Sequence, residues 1–163
     1  MALLEIKKYP DPILKKKCQE VEEVTPEIKK LIEDMIETLE KDNKGAGLAA
    51  PQVGILKRVI IAPTEKGFTG FINPKILKKR KDKILIGEGC LSFPGLFLTI
   101  KRSKEVEIEA LDKDGKKIKI KARGILAPIF QHEIDHLDGI LFIDRVNPIG
   151  RLRLRKKLKK IKT

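Results

Sequence analysis

The sequence predicts an α+β fold in which mostly antiparallel sheets pack around a central helix, with one helix near the N-terminus and a basic helix at the C-terminus. One unbroken helical pattern comes first, short β-patterned segments follow, and the second strong helical pattern appears only after the last of them. One helix with a buried face, many short strands and a second helix at the end indicate antiparallel sheets. A chain of 163 residues can bury a core of its own.

The first helix is predicted to begin after Thr25. Thr25 supplies a hydroxyl at the N-cap, Pro26 takes the first helical position, and Glu27 places an acid in the first turn. Apolar residues then recur every three or four positions along one face as far as Leu39, and Asn43-Lys44-Gly45 ends the pattern. We interpret this segment as a packing helix.

Short β-patterned segments fill the middle of the chain. They are Val59 to Ala62, Phe68 to Ile72 ended by Asn73-Pro74, Ile84 to Ile86, and two alternating stretches, Val106 to Ala110 and Ile118 to Ala122, with Asp114-Gly115 between them. The last two segments and their turn predict a β-hairpin. The sequence shows no internal repeat and no linker long enough to separate domains.

The second helical pattern carries the chain's two histidines. His132 and His136 are four residues apart, so on a helix they point the same way and can hold one metal ion, with Glu133 beside them as a base. At about 100° per residue, these three side chains lie within or at the edge of the apolar arc, where unpaired polar groups would cost on the order of 2–7 kcal/mol. Gly139 supplies the stop signal. On the opposite side of the helix we expect Gln131, Asp135 and Asp138.

Two histidines leave a catalytic metal site incomplete, because such sites usually have three protein ligands and one open position. Zinc proteases take a further Glu or His downstream, but the chain beyond His136 offers only Asp138, on the wrong side of the helix, and Asp144, past the helix end. Cys90, at the end of a predicted strand with Gly89 beside it, completes the set best. Without the histidine pair, a packing cysteine would be the better interpretation.

The segment from Gly45 to Gly54 is too rich in glycine for a helix and lacks the Gly-Lys-Ser/Thr ending of a phosphate loop. Because glycine has no side chain, the backbone at these positions can approach a ligand closely. Gln52 is the one side chain in the segment that is a strong donor. An ordinary loop is the alternative interpretation.

Composition and cysteine count narrow the classes of protein. Two cysteines, Cys18 and Cys90, exclude a disulfide framework and a four-cysteine zinc site. No apolar run approaches the roughly 20 residues of a membrane span, and the first residues resemble neither a signal nor a transit peptide. We therefore expect a cytoplasmic protein with reduced thiols, and neither a membrane nor DNA as a partner.

Three motifs, in this order, resemble those of the peptide deformylase family: Gly45-x-Gly47-x-Ala49-Ala50-x-Gln52, Glu88-Gly89-Cys90-Leu91-Ser92 and Gln131-His132-Glu133-x-Asp135-His136. The similarity covers nearly the whole chain. It implies a metal-dependent hydrolase that removes the N-formyl group from the starting methionine of newly synthesised polypeptides and releases formate. It also implies that Cys90, His132 and His136 hold the metal, that Glu133 is the general acid/base, and that Gln52 and the Leu91 N–H stabilise the oxyanion.

The resemblance implies ferrous iron as the metal. A thiolate with two imidazoles also suits zinc, and nickel or cobalt would fit the same ligands in a purified sample. For the substrate, Gly45, Gly47 and Gly89 leave room for the peptide, and Arg102 resembles the family's basic residue at the pocket rim. An apolar slot for methionine could be built from Ile86, Leu91, Ile125 and Ile129, for each of which core packing is the alternative role.

The C-terminal segment 151–163 holds eight basic residues and no acid, out of a net charge of +13 for the chain. Leu154, Leu158 and Ile161 form a narrow apolar stripe at helical spacing. One interpretation is a solvated terminal helix packed on the body. The other is a contact to polyanion, for which ribosomal RNA near the peptide exit is the natural candidate.

We therefore predict one catalytic metallohydrolase domain over residues 1–150 and a basic helical tail over 151–163. A metal-dependent deformylase is the leading hypothesis. A metallopeptidase of the zinc-protease type is the second, weakened by the missing downstream ligand. A non-catalytic module that binds RNA or ribosomes around a structural metal is the third, in which Glu133 would have no purpose.

Overall fold

A computed structural model describes residues 3–162. The helices are α1 (Pro26–Asp42), α2 (Leu126–Leu137) and α3 (Pro148–Lys162). The strands are β1 (Leu48–Ala49), β2 (Val59–Thr64), β3 (Gly67–Lys79), β4 (Lys83–Cys90), β5 (Phe93–Ser103), β6 (Glu105–Leu111) and β7 (Lys117–Arg123). Short 3₁₀ turns lie at Pro12–Lys15, Ala50–Val53 and Phe142–Arg145.

The strands form two antiparallel sheets, which confirms the predicted α+β class. A five-stranded sheet has the order β1-β2-β3-β6-β7, and β4 and β5 form a separate two-stranded hairpin. The predicted hairpin is confirmed as β6 and β7, with Val106 opposite Ala122 and Ile108 opposite Ile120. No helix among residues 3–162 is long and apolar enough to cross a membrane.

The five-stranded sheet lies between α1 and α2, and the alternation of β2 shows why. Val59 and Ile61 are buried against α1, whereas Ile60 and Ala62 are buried against α2, because neighbouring residues of a strand point to opposite faces. The predicted ends of α1 are confirmed. The Thr25 hydroxyl oxygen accepts a hydrogen bond from the Ile28 N–H, and Asn43 has a left-handed backbone.

Helix α2 lies between the five-stranded sheet and the β4–β5 hairpin, so it is buried on both sides. Ala127, Phe130, Ile134 and Leu137 pack on the sheet. The prediction that Gln131 and Asp135 lie away from the buried side is wrong, because they are 4% and 8% exposed. Only Asp138 of the three residues predicted there is exposed. The two buried side chains face the hairpin and bond to its residues.

One strand prediction requires correction, and one long strand was missed. Strand β3 does not end at Asn73-Pro74 but continues to Lys79 through a shift of register between Ile72 and Lys75. The Asn73 side chain makes this irregularity tolerable, since its amide bonds to both backbone groups of Val21 at 2.8 Å. Strand β5 was not predicted, because Pro94-Gly95 near its start resembles a turn.

Helix α3 begins at Pro148, three residues before the predicted tail. Leu154 is 3% exposed and packs with Phe93, Leu96 and Phe142 in a cluster under the hairpin. Leu158 and Ile161 join the same cluster at its edge. The apolar stripe therefore fastens α3 to the body, while most of its basic side chains are exposed. Thr163 of the predicted tail lies outside the described residues.

Candidate metal centre and active site

Cys90, His132 and His136 come together as the sequence predicts. Their ligand atoms all lie within 4.8 Å of one another, and Cys90 Sγ is 3.4 Å from His136 Nε2. The two imidazoles project from successive turns of α2, and the thiol arrives from the end of β4. The three donors thus come from two separate parts of the fold.

The donor set has the dimensions of a first-row metal site. Metal–sulfur and metal–nitrogen bonds of about 2.3 and 2.0–2.1 Å at tetrahedral angles place sulfur and nitrogen about 3.5 Å apart. The distance of 3.4 Å between Cys90 Sγ and His136 Nε2 agrees with this value. Three protein donors leave a fourth position for water or substrate, as in catalytic sites. The residues present therefore fit one divalent cation.

Glu88 orients His132. Its Oε1 lies 2.8 Å from His132 Nδ1, so Nδ1 is the donor nitrogen and Nε2 remains for a metal. Burial alone would raise the pKa of Glu88, but hydrogen bonds from Arg102 and His132 outweigh it and lower the pKa to about 2. Glu88 is thus a carboxylate at any physiological pH. The sequence contained a signal for this role, because Glu88 is two residues from Cys90 and shares its face of the strand.

Glu133 is buried in the wall of the same cleft. Its carboxylate oxygen Oε1 lies 3.9 Å from His132 Nε2, and Oε2 has no hydrogen-bond partner among the described residues. Burial raises its pKa to about 7, although a bound cation would favour the carboxylate and lower this value. A carboxyl group at this position can accept a proton as a carboxylate and return it as the acid.

Gln52 is held so that its NH₂ group faces Cys90. Its Oε1 accepts a hydrogen bond from the Ala49 N–H at 2.9 Å. Its Nε2 consequently points the other way, 3.4 Å from Cys90 Sγ and 3.2 Å from Ser92 Oγ. At 1% exposure this amide is fixed by its surroundings. A hydrogen-bond donor therefore lies beside the thiol of the candidate metal site, where the family resemblance implies one.

A cleft of about 450 Å³ opens beside these groups. The structure places nearly all the predicted substrate-binding residues in its lining: Gly45, Gly47, Gly89, Ile86, Leu91, Ile125 and Ile129. Gly47 packs so closely on Glu133 that a Cβ there would lie 3.0 Å from Glu133 Cγ. The exposed ring of Phe97, which was not predicted, lies over Gly89 at the mouth of the cleft.

The prediction that Arg102 lies at the pocket rim is wrong. Its side chain is 4% exposed and does not line the cleft. It is instead the buried partner of two carboxylates, Glu88 on its own hairpin and Asp135 on α2. Its position on β5 explains the burial, because Ile100 and Arg102 lie on the inner face of that strand.

The other cysteine, Cys18, does not line this cleft. It is 5% exposed and packs in the cluster between α2 and the five-stranded sheet. Burial raises the pKa of its thiol to about 11, so it remains protonated and unreactive at neutral pH. Cys18 therefore serves as an internal control for Cys90.

The fold and the site define a class of protein, namely α+β proteins in which one cysteine and two histidines of a helix form a candidate metal site beside a cleft. The family model described as polypeptide deformylase matches residues 3–152 of this chain. A peptide deformylase of Thermodesulfovibrio yellowstonii is 50% identical over 98% of both chains.

Solved structures agree with this family match. The peptide deformylase of Ehrlichia chaffeensis in complex with actinonin superposes with a TM-score of 0.90 at 40% identity, covering 98% of both chains. A plant peptide deformylase reaches a TM-score of 0.91 at 36% identity, covering 98% of this chain and 89% of its own. The chain therefore belongs to the polypeptide deformylase family. It is a metal-dependent hydrolase that removes the N-formyl group from newly synthesised polypeptides.

Proposed function

We propose that Cys90, His132 and His136 hold one divalent cation and that the formyl group is hydrolysed in the cleft beside it. The observation that carries this proposal is the convergence of the three donors within 4.8 Å of one another, next to a buried carboxyl group and a fixed amide donor. A bound divalent cation lowers the pKa of water toward neutrality and polarises the formyl oxygen. The remaining steps belong to the chain's own side chains.

Glu133 is the proton carrier in this proposal. Its free Oε2 accepts a proton from the attacking water and later passes it to the departing amine. Burial beside Gly47 keeps bulk water away from the carboxyl group, so the proton stays with the reactants. The negative charge that develops on the former formyl oxygen is stabilised by the Gln52 NH₂ group and the Leu91 backbone N–H.

Replacing Gln52 by Glu tests the oxyanion role with minimal change of shape. The isosteric side chain keeps an acceptor for the Ala49 N–H but loses the donor that faces Cys90. We expect formate release from formyl-Met peptides to fall by roughly 10²–10³-fold in kcat, the usual effect of losing one such donor. The measurement is steady-state formate release with metal content determined on the same samples. Wild-type turnover in metal-replete Gln52→Glu would remove Gln52 from the mechanism.

The proposed native metal is ferrous iron. The cysteine and two histidines suit several first-row ions, so the metal has to be determined by experiment. We expect protein purified without oxygen to contain stoichiometric iron and to lose activity in air, whereas the nickel-substituted protein keeps its activity. Metal analysis and activity before and after exposure to air measure this. Stoichiometric native zinc with full, air-stable activity would contradict iron.

The proposed compartment is the cytoplasm, and the proposed additional partner is ribosomal RNA. Support for the partner comes from α3, whose exposed side chains include Arg153, Lys156, Lys157 and Lys159. Because Leu154 packs in the core, deleting the segment would also damage the body. Charge substitutions on the exposed side of α3 are therefore the sharper test.

We expect a variant with these four basic residues changed to Gln to bind ribosomes more weakly. Up to four lost phosphate contacts would reduce the slope of log affinity against log salt by up to about 3. Activity on short formyl peptides should not change, since none of the four lines the cleft. A matched control changes four exposed lysines elsewhere, Lys66, Lys113, Lys116 and Lys119, to Gln. Equal ribosome binding by the two variants would defeat the proposal for α3.

A further inference from the structure

A series of hydrogen-bonded side chains with alternating charges connects His132 to the protein surface. Next to the histidine, both carboxylate oxygens of Glu88 accept hydrogen bonds from the guanidinium group of Arg102. Arg102 donates from Nε to Glu88 Oε2 at 2.7 Å and from Nη2 to Oε1 at 2.9 Å. The oxygen Oε1 is the same atom that accepts from His132 Nδ1 at 2.8 Å. The orientation of the imidazole therefore depends on where Arg102 holds this carboxylate.

Arg102 is fixed in turn from its other side. Its Nη1 donates to Asp135 Oδ2 at 2.7 Å. Arg145, just before α3, holds Asp135 with two bonds, from Nε to Oδ2 at 3.1 Å and from Nη2 to Oδ1 at 2.8 Å. The Arg145 side chain is 39% exposed, whereas Arg102 is 4% exposed. Arg145 is thus the outer end of the connection.

Arg145 matters because it balances the charge of the buried carboxylates. The two carboxylates and two guanidinium groups are neutral together, and His132 completes the connection. Without Arg145, Arg102 would be the one side chain with described bonds to both Glu88 and Asp135, and Asp135 Oδ1 would lose the side-chain donor it has. Buried charges respond strongly to the loss of a partner, so Arg102 would shift toward Asp135 and loosen its hold on Glu88.

We infer that Arg145 is a positioning residue for the proposed metal ligand His132. It acts through the three side chains between them, Asp135, Arg102 and Glu88. The inference rests on the proposed ligand set and goes beyond it, because Arg145 touches neither the ligands nor the cleft. A purely structural ion pair would stabilise the fold without changing the affinity for metal. A positioning residue changes that affinity.

The test compares metal affinities by chelator competition, with cobalt(II) as the probe. We expect Arg145→Ala to bind cobalt roughly 2- to 30-fold more weakly, the range found for substitutions in coupled networks. Arg145→Lys keeps the positive charge but cannot make both hydrogen bonds to Asp135. Its affinity for cobalt should therefore lie between those of Arg145→Ala and the wild type. The visible absorption of bound cobalt reports on ligand geometry, and we expect it to change in Arg145→Ala.

Arg58→Ala is the matched control. Arg58 also bonds to an acid of the α2 segment, Asp138, at 3.0 Å, and it accompanies Arg145 in the wall of the same surface groove. Asp138 has no described bond to the Glu88–Arg102 pair, however. We expect Arg58→Ala to lower the thermal stability of the metal-free protein while leaving the cobalt affinity within about 2-fold of the wild type, below the range for coupled sites.

A double substitution tests the route. Glu88→Gln should itself weaken cobalt binding about 10- to 100-fold, as second-shell substitutions do, and adding Arg145→Ala should then have little further effect. Unchanged affinity and spectrum in Arg145→Ala would overturn the inference, as would the same fold-loss in both backgrounds. Failure of the ligand set itself is recognised separately, since the wild type would then bind cobalt no better than Cys90→Ala.

Discussion

Glu133→Ala is expected to retain its metal and to lose about 10²–10⁴-fold in kcat/KM for formyl-Met peptides. The reason is that one carboxyl group carries the proton in both halves of the proposed reaction. Glu133 Oε2 has no hydrogen-bond partner among the described residues that could relay the proton in its place. The metal should stay because its three proposed ligands are untouched. Formate release and metal content, measured on the same preparation, check both parts of the expectation.

Glu133→Gln is the shape-matched companion of this variant. The amide fills the same space against Gly47 but cannot carry a proton at neutral pH, so its loss of activity should match that of Glu133→Ala. Normal deformylation by either variant would show that another group carries the proton. Loss of metal from both variants would instead assign Glu133 to the ligand set.

Cys90→Ala is expected to lose stoichiometric metal and, with it, measurable formate release. Two imidazoles on α2 would remain, but the thiolate that closes the site from the hairpin would be gone. Removing only the outer partner of a metal ligand costs about 10- to 100-fold in affinity, so removing a ligand should cost more. Metal titration with a competing chelator measures the loss, and added nickel at high concentration should restore little activity.

Cys18→Ala is the control for this variant, because Cys18 is buried and does not line the cleft. We expect it to keep metal and activity, with a modest loss of thermal stability from the cavity. Thiol labelling provides a second check on the ligand role of Cys90. In the metal-free wild type the Cys90 thiol should react rapidly with the label, and bound metal should protect it; Cys90→Ala should lack this rapid reaction. Metal binding by Cys90→Ala with wild-type affinity would refute the thiolate ligand.

The helices and most strands could be predicted because they depend on local signals. α1 has a capping hydroxyl, an early proline and an unbroken apolar face, and these signals fix both of its ends. β5 could not be recognised, since Pro94-Gly95 resembles a turn and its inner face carries Arg102 where an apolar residue would be expected. The passage of β3 through Asn73 depends on a bond to Val21, a contact that is distant in the sequence.

In the candidate site, too, some residues could be predicted from local sequence signals and others could not. His132 and His136 follow from helical spacing, and Cys90 follows from the need for a third ligand. Gln131 and Asp135 were assigned to the wrong side of α2, because periodicity treats polar residues as solvent-facing. Here Gln131 bonds to both backbone groups of Ser103, and Asp135 is neutralised by arginines from other segments. A single sequence does not show such pairings, so buried polar side chains were misplaced.

The position of α2 between two independent sheets has a consequence for how the molecule opens. In the proposed ligand set, the two histidines come from the helix and the thiol comes from the hairpin. The bound ion then cross-links Cys90 to the two histidines and so closes the long loop of chain between them. Chelation should release the β4–β5 hairpin first, so its amides should gain deuterium faster while β2 and β6 remain protected. The reaction centre would thus also join the hairpin to the helix that packs against it.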